Sequence, residues 1–132
     1  MTNGIFCDLT KLLGRLLIAA IFIQAGWNKI GGYESTQGYM ESMGVPGMLL
    51  PLVILVELGG GLAVLFGFLT RWAALGLALF SLLTALLFHY QPDDQGQMIN
   101  FMKNVSIAGG FLILTCAGAG RISLDHLLRR KH

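Results

Sequence analysis

Residues Trp72–Pro92, WAALGLALFSLLTALLFHYQP, contain no Asp, Glu, Lys or Arg. A helix needs roughly 20 mostly apolar residues to cross the hydrocarbon of a bilayer, and this stretch supplies them. Its interior shows no polar stripe. Between Leu75 and Phe88 the polar members are Ser81 and Thr84, and every other position is apolar or Gly. A helix apolar on all sides has lipid or other helices around it, whereas a soluble bundle helix keeps a solvated face. The fold is therefore expected to be an integral membrane protein.

Working outward, three more crossings can be argued, each against its own charges. Residues 9–28 carry Lys11 and Arg15 near the start, 46–69 are broken only by Glu57, and 99–119 only by Lys103. With 72–91 these give an all-α, four-helix membrane bundle in one domain, followed by a tail over 120–132. The loop from Lys29 to Val45 is the longest. Within it Ser35 is expected to cap a short interfacial helix running towards Met43, ended by Gly44 and Pro46.

Composition agrees. The chain has 132 residues, 55% apolar and 12% charged, where a soluble domain carries about a quarter charged. Disorder is excluded by the apolar content, and a nucleic-acid partner by the lack of clustered basic charge. Lys11, Arg15, Arg71, Arg121, Arg129, Arg130 and Lys131 fall on the side of the termini, and Lys29 and Lys103 on the other. The excess of basic residues puts both termini in the cytoplasm. The first apolar run has no small-residue cleavage site after it, so it is expected to remain as a crossing.

Lipid does not drive helices together, so close packing at small residues must. Gly59, Ala63 and Gly67 recur at intervals of four, broadened by Gly60 and Gly61; Ser106 with Gly110, and Ala74 with Ala78, repeat the spacing. These faces suit packing within the bundle and would also suit a homo-oligomer.

Glu57 is the most informative residue. It lies eleven residues after Pro46, about 16 Å along a helix and near the midplane. An ionisable group there costs about 3 kcal/mol on insertion scales, so it must be protonated, paired or facing a watery cavity. By depth, Lys103 ranks first as its partner, and Arg15 could approach from the opposite side. Gln24, Asn28, His89 and Asn104 occupy the outer halves or ends of their helices. The expectation is a polar pocket in the outer half, lined by Gln24, Lys29, Glu57, His89, Lys103 and Asn104, with Trp27 as an apolar wall. Against it stands an ion pair that merely fixes helix register. Arg15 and Arg71 are expected to be structural. Trp27, Tyr90 and Trp72 also fit headgroup-level anchoring.

Cys7 and Cys116 are isolated and expected on the reducing cytoplasmic side, so no redox pair is implied. His89, His126 and His132 are too scattered for a metal site, and no phosphate-cradling loop or Ser/His/Asp set stands out.

Several ordered stretches resemble the DoxX family: GRLLIAAIF around Arg15, GWNKIGGY (26–33), YMESMGVPG (39–47), VELGGGLAVLFGFLTR around Glu57, FHY around His89 and NFMKNVSIAGGFLIL around Lys103. The similarity is strongest to the small inner-membrane DoxX-like proteins of Gram-negative bacteria. Arg15, Gly26, Lys29, Glu57, Gly60, Arg71, His89, Lys103 and Asn104 match the family pattern. The resemblance implies a four-helix protein of the cytoplasmic membrane. It also implies redox association, since the family takes its name from a subunit linked to thiosulfate:quinone oxidoreduction.

Three functional readings are open. In the first the pocket binds a quinone or similar small aromatic, and a membrane or peripheral oxidoreductase partner handles electrons. The second is a non-catalytic subunit or assembly factor with a structural Glu/Lys pair, and the third a small proton-coupled transporter.

Overall fold

The computed structural model describes residues 4–129. Four long helices pack around one core: α1 (Gly4–Gly31), α3 (Gly47–Phe66), α4 (Thr70–His89) and α5 (Gln95–Ala117). Two short helices complete them, α2 (Tyr33–Ser42) between α1 and α3, and α6 (Leu124–Arg129) after α5. Three helices, α3, α4 and α5, are long and apolar enough to cross a membrane. Helix α1 has 28 residues and carries Asp8, Lys11 and Arg15 in its first half. Arg130 and Lys131, two of the basic residues that set the expected orientation, lie outside the described residues.

The surface confirms what surrounds the bundle. Leu17, Leu79, Leu86 and Ile113 are each more than half exposed, on three different long helices. Exposed apolar area spread over every face is what lipid requires and water penalises. The core itself is small: Ala19 and Phe22 of α1, Val64 of α3, Ala74, Leu77 and Ala78 of α4, and Ala108 and Phe111 of α5. Phe22 and Phe111 meet edge to face at 5.4 Å.

Backbones approach where side chains vanish. A Cβ on Gly26 would stand 3.0 Å from the Leu58 backbone nitrogen, and one on Gly61 would stand 2.9 Å from Ile23 Cγ1. Gly60 faces Leu77 of α4 in the same way. Gly59 instead points outward, with only Leu55 near it, so the close contacts of α3 with α1 and α4 run through Gly60 and Gly61, while Gly67 lies tight against Ser123 and Ala119 of the returning chain.

Helix α2 is present in the expected loop but starts earlier. Ser35 lies inside it, because α1 runs on to Gly31 and only Gly32 (φ −113°, ψ 43°) interrupts the chain before Tyr33. No side chain caps that start. Met40 is buried beneath α2, Tyr39 stacks on Phe88 of α4 at 5.7 Å, and Gln37 Nε2 donates to the Gly47 carbonyl at 3.3 Å. The segment is a cover over the start of α3 and the end of α4.

Two helical irregularities, both π turns, have no sequence signature. The hydrogen bonding of α3 widens to a π turn at Leu55–Gly59, and that of α4 does so at Ala85–His89. The tail expected after residue 119 folds back as α6.

Candidate functional site

Glu57 sits in the middle of the π turn of α3. An extra residue in the turn rotates the next stretch of helix about its axis, and such turns recur at functional positions. Here Glu57 is directed inward and is 6% exposed. Its partner is Lys29, whose Nζ lies 2.8 Å from Glu57 Oε1. The contact is one of charge and not a well-aligned hydrogen bond, since Oε1 has no aligned donor among the described residues. Lys29 stands one turn beyond Gly26, so the close Gly26–Leu58 approach is what brings the ammonium to the carboxylate.

Lys103, ranked first by depth, is exposed and lines an outward groove with Gln95, Met98, Ile99, Met102, Ser106 and Ile107. Depth counted along the chain does not give the azimuth, and Lys103 projects away from Glu57 into that groove. Gln24 and Trp27 line a separate groove of about 540 Å³ with Leu16, Ala20, Ile23 and Leu65, and Trp27 is 69% exposed. His89 Nδ1 meets Gln97 Oε1 at 2.8 Å, and Asn104 Nδ2 donates to Thr84 Oγ1 at 3.1 Å. The expected residues thus divide into the Glu57–Lys29 pair, two local side-chain bonds and two outward grooves. A quinone needs donors and an apolar wall around one cavity, and the residues expected to supply them do not converge on one.

Arg15 does not approach Glu57 either. It is 2% exposed, and its guanidinium donates to four carbonyls: Nε to Val64 (3.0 Å), Nη1 to Ala119 and Ile122 (both 2.8 Å) and Nη2 to Leu65 (2.9 Å). The planar fork ties the end of α3 and the chain after α5 to α1.

The same end of the bundle holds a polar cluster that the sequence reading missed. Asp8 accepts from the Arg121 backbone N–H at 3.1 Å and pairs with the Arg121 side chain. The backbone hydrogen bond from Arg121 holds the Asp8 carboxyl below the usual value. Asp125 accepts from Leu69 N (2.7 Å) and Thr70 N (2.9 Å), the amide just before α4 and its first. Burial alone would raise the Asp125 carboxyl, but the N–H groups of Thr70 and Leu69 and the Arg129 charge outweigh it, and the net shift is downward. Asp125 also stabilises Leu69 in its left-handed conformation (φ 48°). The turns Gly118 (φ 77°) and Gly120 (φ 86°) were the available signal, since closely spaced left-handed glycines fold the tail back.

Apolar helices, a lipid-facing surface and a buried acid–lysine pair define a helical membrane protein. The DoxX family's sequence profile matches residues 10–90, and the chain belongs to that family. It is 56% identical to inner membrane protein YqjF of Escherichia coli over 94% of this chain and 95% of that protein. It is 40% identical to inner membrane protein YphA of the same organism over 86% of each. A shorter match, 34% identical over 48% of each chain, is to a Bacillus subtilis protein named "Putative oxidoreductase CatD". No solved structure matches. The protein is accordingly a multi-pass inner-membrane protein of the DoxX family.

Proposed function

We propose that this chain is a non-catalytic, redox-associated membrane subunit in which the Glu57–Lys29 pair fixes α1 against α3. The observation that carries this reading is that the two charges meet each other at 2.8 Å while Gln24, Trp27 and Lys103 face outward elsewhere. The redox association is supported by family membership and by the name of the Bacillus subtilis relative. Electron transfer then belongs to a membrane or peripheral oxidoreductase partner. All four long helices cross the bilayer in this reading, with both termini cytoplasmic. The gathering of Lys11, Arg71, Arg121 and Arg129 around one end supports that orientation.

A second reading, a quinone-like or small aromatic ligand in the outer half, is favoured by one feature. Glu57 Oε1 is buried without an aligned donor, and the Lys29 side chain is 27% exposed, which leaves the pair reachable. Extraction of wild type and Glu57→Gln from native membranes, with bound quinone and folded yield measured on both, separates the two. The subunit reading expects no stoichiometric quinone, a lower folded yield for Glu57→Gln, and recovery in Glu57→Met/Lys29→Met. One quinone per wild-type chain, lost in Glu57→Gln, would replace it by the ligand reading.

A further inference from the structure

A cavity of about 530 Å³ opens at the end of the bundle opposite Glu57, between the starts of α1 and α4, the end of α5, and α6. Its wall includes Lys11, Arg71, Arg121 and Arg129 against Asp8 and Asp125. Both acids are already engaged: Asp8 by Arg121, Asp125 by the Leu69 and Thr70 amides. Lys11 and Arg71 are in no ion pair among the described residues. They line the same cavity and approach the consecutive residues Ala117 and Gly118 from different helices. Lys11 Nζ reaches the Ala117 carbonyl only at 3.5 Å. The Arg71 guanidinium lies over Gly118, where a Cβ would stand 3.0 Å from Nη2. Any larger residue at position 118 would displace that guanidinium. Two cations that line one cavity outside any ion pair are stabilised by an anion between them.

We propose that this cavity binds a phosphate-bearing anion, with Arg71 as the bidentate donor and Lys11 as the second charge. A guanidinium fork matches two phosphate oxygens, and an ammonium adds a point charge. The rim is apolar and exposed, formed by Phe68, Leu69, Leu128 and Trp72, the last 75% exposed. Basic pockets between membrane helices, rimmed in this way, suit lipid headgroups; a free phosphate would use the same cations without the rim.

The test is native mass spectrometry of the full chain in detergent, offered dioleoylphosphatidylglycerol, dioleoylphosphatidylcholine or inorganic phosphate. Wild type is expected to take one phosphatidylglycerol in preference to phosphatidylcholine. Arg71→Gln, and separately Lys11→Gln, should weaken that binding by about tenfold, the equivalent of one charge-assisted contact. Arg71→Lys should retain part of it. Displacement of the lipid by millimolar phosphate, or phosphate binding lost in the same variants, would support the site and assign it to a soluble anion. Equal uptake of the two lipids with no phosphate bound overturns the proposal. Because that comparison is made on wild type, it stands even where a variant fails to fold. Binding unchanged in folded Arg71→Gln and Lys11→Gln overturns it as well.

Discussion

Gly26 and Leu58 touch backbone to backbone, with a Cβ on the glycine 3.0 Å from the Leu58 nitrogen and 3.0 Å from its Cβ. That contact sets how close α1 comes to α3, and the Lys29–Glu57 pair sits one turn further along. Packing and electrostatics are therefore coupled at this seam. Glycine is needed at 26 because the neighbour is main chain and cannot move aside as a flexible side chain does.

Gly26→Ala should therefore destabilise the folded protein by about 1–3 kcal/mol, the usual penalty for overpacking. Gly59→Ala, facing only Leu55 Cδ1 at 3.7 Å, should be neutral or stabilising by up to about 1 kcal/mol through helix propensity. Thermal unfolding of both in the same detergent checks the contrast.

Arg15→Met should be among the most damaging single changes, because four carbonyls lose their donor in a site that is 2% exposed. A loss of about 3 kcal/mol or more is expected. Arg15→Lys should recover only part of it, since one ammonium cannot span acceptors on both α3 and the chain after α5. Folded yield and unfolding temperature read both variants.

Acid should loosen the end of the bundle that Arg15 ties. Asp8 and Asp125 both titrate below the ordinary aspartate value of 3.8. A depressed native pKa contributes stability that is present above the unfolded value and is lost as pH falls through the native one. Hydrogen exchange at the Leu69 and Thr70 amides, corrected for intrinsic rates, should be unchanged from pH 7 to about pH 5 and lose protection below 3.8. Asp125→Ala should remove that protection at neutral pH, with a loss of about 1 kcal/mol, as for other helix caps.

The long helices were legible because a crossing is a matter of uninterrupted apolar length, which one sequence displays directly. The crossing expected over 72–91 became Thr70–His89, and that over 46–69 became Gly47–Phe66. Glu57 was legible as the polar centre because a lone acid in an apolar run has few explanations. Its partner was not. Depth can be counted along a chain, but which way a side chain faces depends on the π turn at Leu55–Gly59 and on the Gly26–Leu58 approach, neither of which has a residue signature. The return of the chain through Gly118 and Gly120 was missed for a different reason: charged residues after an apolar helix resemble a solvated tail until Asp8 and Asp125 are seen to be engaged.

The most direct test of the account is a double-mutant cycle between Glu57 and Lys29, with Glu57 and Lys103 as the comparison. Side chains 8% and 27% exposed lie between the surface and buried cases, so Glu57→Gln and Lys29→Met should couple by about 1–3 kcal/mol in unfolding free energy. Glu57→Gln and Lys103→Met should be additive. No coupling to Lys29, or equal coupling to Lys103, would contradict the arrangement on which the proposed function rests.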